Sequence, residues 1–286
     1  MSDLIAVTGA TGALGSLVID NLLTKTEPGR VVALARDPGK AAALPDTVQT
    51  RIADNDDRAA VDAAVAGIDV LLLISGNEFG KRMQQHRNVI EAARQAGVSR
   101  IVYTSASHAD TSTRFITAEH KATEQIIRDS GLTSTILRAN SYHENYVPHL
   151  ATAVQTGSII GSVHDGRVAS AARADYAEAA AVVLTTPGHD NAAYELTGDV
   201  AWNYHDLAAA VSEATGVAVT YEDLSSEEHA AALRTMGVDE ETVTFLVNLD
   251  ADLASGVSAD ATDDLRQLIG RPTTPLVDGL RALHRL

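Results

Sequence analysis

The chain contains no cysteine, which removes disulfides, Cys-ligated zinc, iron–sulfur clusters and thiol nucleophiles from consideration together. Aromatic residues are scarce, at 4% of 286 residues with one Trp and three Phe. A pocket with flat apolar walls therefore has few side chains to draw on, Phe79 and Phe115 being the candidates. Cations are outnumbered, 22 Lys and Arg against 38 Asp and Glu, and the formal charge is −16. Nucleic acid and anionic membrane surfaces both require basic patches, so neither is an expected partner. Although 45% of the residues are apolar, no uninterrupted apolar run approaches the roughly 20 residues of a membrane span, and no membrane insertion is expected. Asp3 precedes the first apolar segment and no basic, apolar leader is visible, which makes the cytoplasm the expected location.

What is present begins with Leu4-Ile-Ala-Val-Thr-Gly-Ala-Thr-Gly-Ala-Leu-Gly15, an apolar strand running into a glycine turn and a helix. Gly9, Gly12 and Gly15 are spaced to allow a tight turn, close approach of backbone to a pyrophosphate and packing of helix on strand. Leu17, Val18, Leu22 and Leu23 continue at helical spacing, and Val31-Val-Ala-Leu-Ala35 reads as a second buried strand. The second strand ends in Arg36, with Lys40 a helical turn later and Asp37 between them. Cations at this position suit the 2′-phosphate of NADP, whereas an acid suits the ribose of NAD; NADP is the favoured reading. The alternative is that Arg36 and Lys40 are ordinary solvated loop cations.

Strand-like and helix-like segments alternate further on, which predicts an α/β fold, a Rossmann-type doubly wound parallel sheet with a smaller C-terminal substrate lobe. Strands are expected at Arg51–Asp54, Asp69–Ser75, Arg100–Ser105 and Ser134–Arg138, completing a sheet of six, with helices near Arg58–Ala66, Gln84–Ala96 and Ala118–Asp129. Residues 1–145 are read as the NADP-binding domain and 146–286 as the substrate lobe, some segments of which return to the main sheet. Ligands bind beyond the carboxyl ends of such strands, which draws attention to Ser75-Gly-Asn77, Ser105 to His108, and Ala139-Asn-Ser-Tyr-His-Glu-Asn145. Glu222 to Glu228 and Asp239 to Glu241 read as solvated helix starts. Neighbouring Ser107, His108 and Asp110 lack the separated chain positions of a triad, and no His/Asp spacing suggests a metal site.

Thr8-Gly-Ala-Thr-Gly-Ala-Leu-Gly15, Arg36-Asp-Pro-Gly-Lys40, Tyr103-Thr-Ser105, Glu119-His120, Glu144-Asn-Tyr146, Arg173-Ala-Asp-Tyr176 and Gly270-Arg-Pro-Thr-Thr274 together resemble the NmrA-like atypical short-chain dehydrogenase/reductases, and within them the NADPH-dependent quinone oxidoreductase 2 group. The resemblance implies NADP at Gly9, Ala10, Thr11, Gly12, Ala13 and Leu14, at Arg36, at Ser75, Gly76 and Asn77, and at Ala139, Asn140, Ser141, Tyr142, His143 and Glu144. Gly76-Asn77 and Ala139-Asn-Ser141 depart from the group's pattern, which bears on the substrate more than on the cofactor. Ordinary members of the superfamily use Tyr-x-x-x-Lys, yet the corresponding stretch here is Ile116-Thr-Ala-Glu-His120. Reduction of a small-molecule quinone tolerates that loss, because its product anion is phenolate-like, with a conjugate acid near 10, against about 15.7 for bulk water. Asn145 or Tyr142 is the expected hydrogen-bond donor to a quinone oxygen. His120 is either a ribose contact or proton relay, or a histidine bonded at a helix end. His86 with Arg87 is expected in helix-start packing and anion contact, and Tyr103 and Trp202 as packed aromatics. The rival class is a redox-sensing regulator that binds NADP without turning it over. A homodimer is compatible with the sequence.

Overall fold

The computed structural model describes residues 3–78, 80–112 and 114–284, without the side chain of Phe115. Nine strands occur among them: β1 (Ile5–Val7), β2 (Val31–Ala35), β3 (Gln49–Ile52), β4 (Val70–Leu73), β5 (Arg100–Ala106), β6 (Thr133–Ala139), β7 (Ser158–Gly161), β8 (Ala193–Leu196) and β9 (Thr220–Asp223). The α-helices are α1 (Ala13–Lys25), α2 (Pro38–Ala41), α3 (Arg58–Ala64), α4 (Arg82–Ala96), α5 (Ala118–Ser130), α6 (Val147–Thr156), α7 (Arg173–Thr185), α8 (Tyr204–Thr215), α9 (Ser226–Thr235), α10 (Glu240–Ala254), α11 (Asp264–Ile269) and α12 (Leu276–His284). The chain divides into two compact units, residues 1–139 with 174–196, and residues 140–173 with 197–286.

The first unit holds a seven-stranded sheet in the order β3-β2-β1-β4-β5-β6-β8, every pairing parallel. The unbroken apolar runs of β2 and β4 are buried at every residue, as strands covered on both faces require. Leu71, Leu73, Ile101 and Tyr103 of the sheet pack with Val89 and Ile90 of α4 and Ile127 of α5. Gly97 and Gly131 end these two helices in left-handed conformation. Strand order reverses between β1 and β4, so the residues just past those two strands flank the crevice where such sheets take ligands.

The sheet has seven strands, where the apolar pattern predicts six. The seventh, Ala193-Tyr-Glu-Leu196, is short and carries a carboxylate in mid-strand, so no apolar run announces it. Its Glu195 lies opposite Arg138 of β6 in the parallel register, and the guanidinium Nη1 reaches Glu195 Oε1 at 3.1 Å. Arg138 also makes a two-pronged bond to Glu124 of α5, Nε to Oε1 at 3.0 Å and Nη2 to Oε2 at 2.8 Å, and pairs with Asp110 at 2.9 Å. Glu124 is fully buried and takes a further bond from the Ser105 hydroxyl at 2.7 Å.

In the second unit β7 and β9 pair in parallel. Tyr146, Leu150, Trp202, Tyr204, Leu207, Val211 and Leu280 form its core, and Tyr146 meets Trp202 edge-on at 4.7 Å between ring centroids. No helix among the described residues is long and apolar enough to cross a membrane.

Replacing Glu124 by Ala removes the two-pronged partner of a buried guanidinium and leaves its Nε and Nη2 without their carboxylate, and the expected loss is about 3–5 kcal/mol of unfolding free energy. Urea denaturation of Glu124→Ala beside Asp110→Ala, whose carboxylate is more exposed, checks this; equal losses would deny the buried pair its special weight.

Candidate active site

Gly9 follows β1 with φ at +60°, and its carbonyl accepts the Gly12 amide at 2.9 Å. A Cβ on Gly15 would collide with the Gly9 carbonyl oxygen and come within 2.8 Å of the Ala10 Cα. Side-chain-free residues at these two points therefore let α1 start against the turn. Gly12 occupies the position ahead of α1 in extended conformation, and no side chain caps the helix. Its first-turn amides are left for an anion, which the positive end of the helix dipole favours. Ala10 is buried, Thr11 and Leu14 are half-buried, and Gly12 and Ala13 are exposed.

Arg36 stands one residue past β2 with its side chain 63% exposed, and its Nη1 lies 2.7 Å from Glu78 Oε1 in the loop after β4. Asp37 is committed elsewhere: its carboxylate accepts the Gly39 and Lys40 amides at 2.8 and 3.4 Å and caps α2. The acid that argued for NAD is thus spent on a helix start, while a phosphate at Arg36 competes with Glu78 and, more weakly, with the charges of Asp54 and Asp56.

Beyond β4 three successive amides are each held by a side chain from a different element. Ile74 donates to the Thr8 hydroxyl at 2.9 Å, Ser75 to the Thr104 hydroxyl at 2.9 Å, and Gly76 to His86 Nε2 at 3.2 Å. Accepting from Gly76 fixes the His86 tautomer, so Nδ1 carries the proton and donates to Thr123 Oγ1 at 2.9 Å. Thr123 in turn donates to the Glu119 carbonyl at 2.8 Å. Ser75 and Gly76 are half-buried and Asn77 is exposed.

His120 lies in the first turn of α5. Arg82 Nη1 donates to its Nε2 at 3.1 Å, so Nδ1 bears the proton and donates to the Tyr103 hydroxyl at 2.9 Å. Burial, with the Arg82 charge adding to it, pushes His120 down to about 4. The same two causes push His86 down to about 3. Both ring nitrogens of His120 are thus engaged by side chains. Tyr103 is more than a packed aromatic, since its hydroxyl holds this ring.

In the second unit Asn140 donates to the Ser258 carbonyl at 3.0 Å and accepts the Ser141 amide at 2.7 Å. The exposed Asn145 amide donates to the Ser141 hydroxyl at 3.1 Å. Tyr142 is half-buried with the Arg173 guanidinium 5.0 Å from its ring centroid; burial pushes its phenol up to about 12 despite that charge. Glu144 receives the Arg173 amide at 3.0 and 3.2 Å. His143 is buried, donates from Nε2 to the Thr274 carbonyl at 2.9 Å and accepts from Ser170 at 2.8 Å. Ala139 ends β6 in the first unit.

Ser107 and His108 both bond to Glu195, and Asp110 pairs with Arg138, so these residues serve the buried ion cluster. Ser162, His229 and Asp250 also gather, but hydroxyl and carboxylate both face Nδ1, at 3.4 and 3.0 Å, leaving no path across the ring. No group of His, Asp or Glu suited to a metal occurs among the described residues.

The family described as NAD(P)H-binding matches residues 9–187. The chain is 44% identical over 284 residues to quinone oxidoreductase 2 of Escherichia coli (strain K12), with 99% of each sequence covered. The chain belongs to the NAD(P)H-binding family. Among solved structures this family member is similar to the Escherichia coli NADPH-dependent quinone oxidoreductase complexed with NADPH, at a TM-score of 0.94 and 44% identity over 98% of this chain and 100% of that one. It is also similar to the Citrobacter sp. triphenylmethane reductase complexed with NADP(H), at a TM-score of 0.92 and 36% identity over 97% and 99% of the two chains.

For an NAD(P)H-binding chain, what sequence reasoning missed is the supporting role of these side chains. Thr8, Thr104 and His86 hold the loop after β4, and Glu78 pairs with Arg36. The hydroxyls at the strand ends were a usable signal; the Glu78 pairing had none. Phe79 lies outside the described residues, as does the side chain of Phe115.

An unfolded chain titrates its histidines near 6.5, above the folded values of about 3 for His86 and about 4 for His120. Between those limits the unfolded state binds more protons, so stability is full above about pH 6.5 and falls as pH drops, by about 1.4 kcal/mol per unit for each ring. Urea denaturation at stepped pH from neutrality to 4 is expected to show this slope, reduced by about one proton in His120→Gln. An unchanged slope in the variant would show that His120 does not titrate as the geometry requires.

Proposed function

We propose that the protein is an NADPH-dependent quinone reductase that works by direct hydride transfer to the quinone, without a Tyr-Lys pair. The observation that carries this reading is the end-to-end similarity to quinone oxidoreductase 2, to which the uncapped α1 and the Arg36 position add the features of a 2′-phosphorylated dinucleotide site. The residues present fit the cofactor. The turn from Gly9 to Leu14 would receive the pyrophosphate, Arg36 the 2′-phosphate, and the loop from Ser75 to Asn77 a further stretch of the dinucleotide. Ala139, Asn140, Ser141, Tyr142, His143 and Glu144 are the further cofactor contacts that the family resemblance implies.

When bound, NADPH supplies the hydride. One quinone, one hydride and one proton give the hydroquinone, and both electrons travel with the hydride. The anion formed on the quinone oxygen is phenolate-like, so water can supply the proton and the chain need only orient the ring and stabilise growing charge. Tyr142, held protonated up to about 12, and the Asn145 amide are the donors assigned to that oxygen. His120 acts as a positioning residue through Tyr103 and Arg82. The substrate is a small-molecule quinone, and the cytoplasm is the assigned location.

The test is loss of NADPH absorbance with benzoquinone or a methyl-substituted analogue, run beside NADH and Arg36→Ala. Oxidation that prefers NADPH and loses most of that preference in the variant is expected, by about tenfold or more, in line with a lost charge-assisted phosphate contact. NADPH that binds tightly but survives every quinone would instead mark a redox-sensing regulator.

A further inference from the structure

Gly270-Arg-Pro-Thr-Thr274, conspicuous in the sequence and unused by the proposed reaction, contributes to the wall of a cavity of about 580 Å³ whose lining residues all belong to the second unit. That volume lies within the roughly 300–1,000 Å³ of small-molecule sites. The wall is built rather than incidental. Asp199 donates its amide to the Thr273 hydroxyl at 3.0 Å and accepts the Thr273 amide at 3.3 Å. The Thr274 carbonyl is held by buried His143 at 2.9 Å. Trp202 also lines the cavity, with its indole N–H fixed to Ser170 Oγ at 2.9 Å. On α8 the lining residues Ala209 and Ala210 are too small to fill the space.

The lining is apolar with a charge bias. Val200, 70% exposed, stands with Pro275 and Leu276 among the lining residues. Three carboxylates, Asp199, Asp206 and Glu213, face a single lining guanidinium, Arg167, and that one is already engaged by the Ala201 carbonyl at 2.8 Å and by Asp206 at 3.6 Å. Glu213 is paired with Arg281 at 3.1 Å. Asp199 is under-compensated: Arg266 stands 3.9 Å away, beyond hydrogen-bonding range, and Asp199 Oδ1, buried behind the cavity wall, has no hydrogen-bond partner among the described residues, so its charge acts on the cavity through space rather than by direct contact. An anion entering here meets like charge, and a neutral molecule leaves that charge uncompensated.

We propose that this cavity binds a small amphipathic organic cation, an aryl- or alkylammonium with its apolar body against Trp202, Pro275 and Leu276 and its charge towards Asp199 and Asp206. The site is independent of the hydride-transfer reading and stands or falls separately.

The experiment is isothermal calorimetry of the full chain with phenethylammonium chloride, phenethyl alcohol and 3-phenylpropanoate, paired with intrinsic fluorescence. Trp202 is the single Trp of the chain, so its emission reports this cavity. Saturable binding of the ammonium with a shift in Trp202 emission is expected, and binding about tenfold weaker for the alcohol and weaker still for the carboxylate. Val200→Lys puts a like charge beside the ligand at an exposed position and is expected to weaken ammonium binding about tenfold. The proposal is overturned by no binding, by equal affinity for the alcohol, by binding that leaves Trp202 emission unmoved, or by affinity unchanged in Val200→Lys.

Discussion

The first unit depends on a charge buried where no charge can stand alone. Arg138 sits near the carboxyl end of β6, and its guanidinium is shared among Glu124 of α5, Glu195 of β8 and Asp110. A fully buried carboxylate such as Glu124 is tolerable only with its cation and further donors in place, and the Ser105 hydroxyl supplies one of them. The cluster has an architectural result, because Glu195 gives a short and weakly apolar strand its place and register beside β6. It also ties α5, which carries His120 and Thr123, to the sheet.

The candidate cofactor elements follow a second logic, in which backbone is left open at one point and held firmly at another. At α1 the amides of the first turn lack a side-chain cap, the arrangement that gives an anion site its attraction. After β4 the reverse holds: the amides of Ile74, Ser75 and Gly76 are all taken by side chains, so the loop is fixed before any ligand arrives. Preorganisation of this kind reduces what binding must spend on ordering the chain. His86 can accept from Gly76 and donate to Thr123 together only while its ring is neutral, and burial keeps it so.

Three histidines of this protein act as braces with defined tautomers. His86, His120 and His143 each use both ring nitrogens, and the donor or acceptor character of Gly76, Arg82 and the Thr274 carbonyl fixes which nitrogen holds the proton. Quinone reduction by hydride transfer suits such a site, since its product anion asks little of an enzymic acid.

Much of the fold was legible in the chain alone. The glycine spacing from Gly9 to Gly15, the unbroken apolar strands β2 and β4, and the closing glycines Gly97 and Gly131 are local signals, and local sterics and hydrophobic burial decide them. Part of the family resemblance was legible for the same reason: the Gly9–Gly15 motif follows β1 and the Arg36–Lys40 motif follows β2. The seventh strand was not, because Ala193-Tyr-Glu-Leu196 is stabilised by a partner 57 residues earlier in the chain, and periodicity cannot register a charge pair. Nor could the sequence say that Asp37 would cap α2 while Arg36 reached Glu78, or that His143 would turn inward to Ser170 and Thr274. Composition and spacing determined the sheet, its turn and the class of cofactor to expect. Which polar side chains became supports and which stayed open was decided by the tertiary structure, since a hydrogen bond between distant residues exists only once the chain has brought them together.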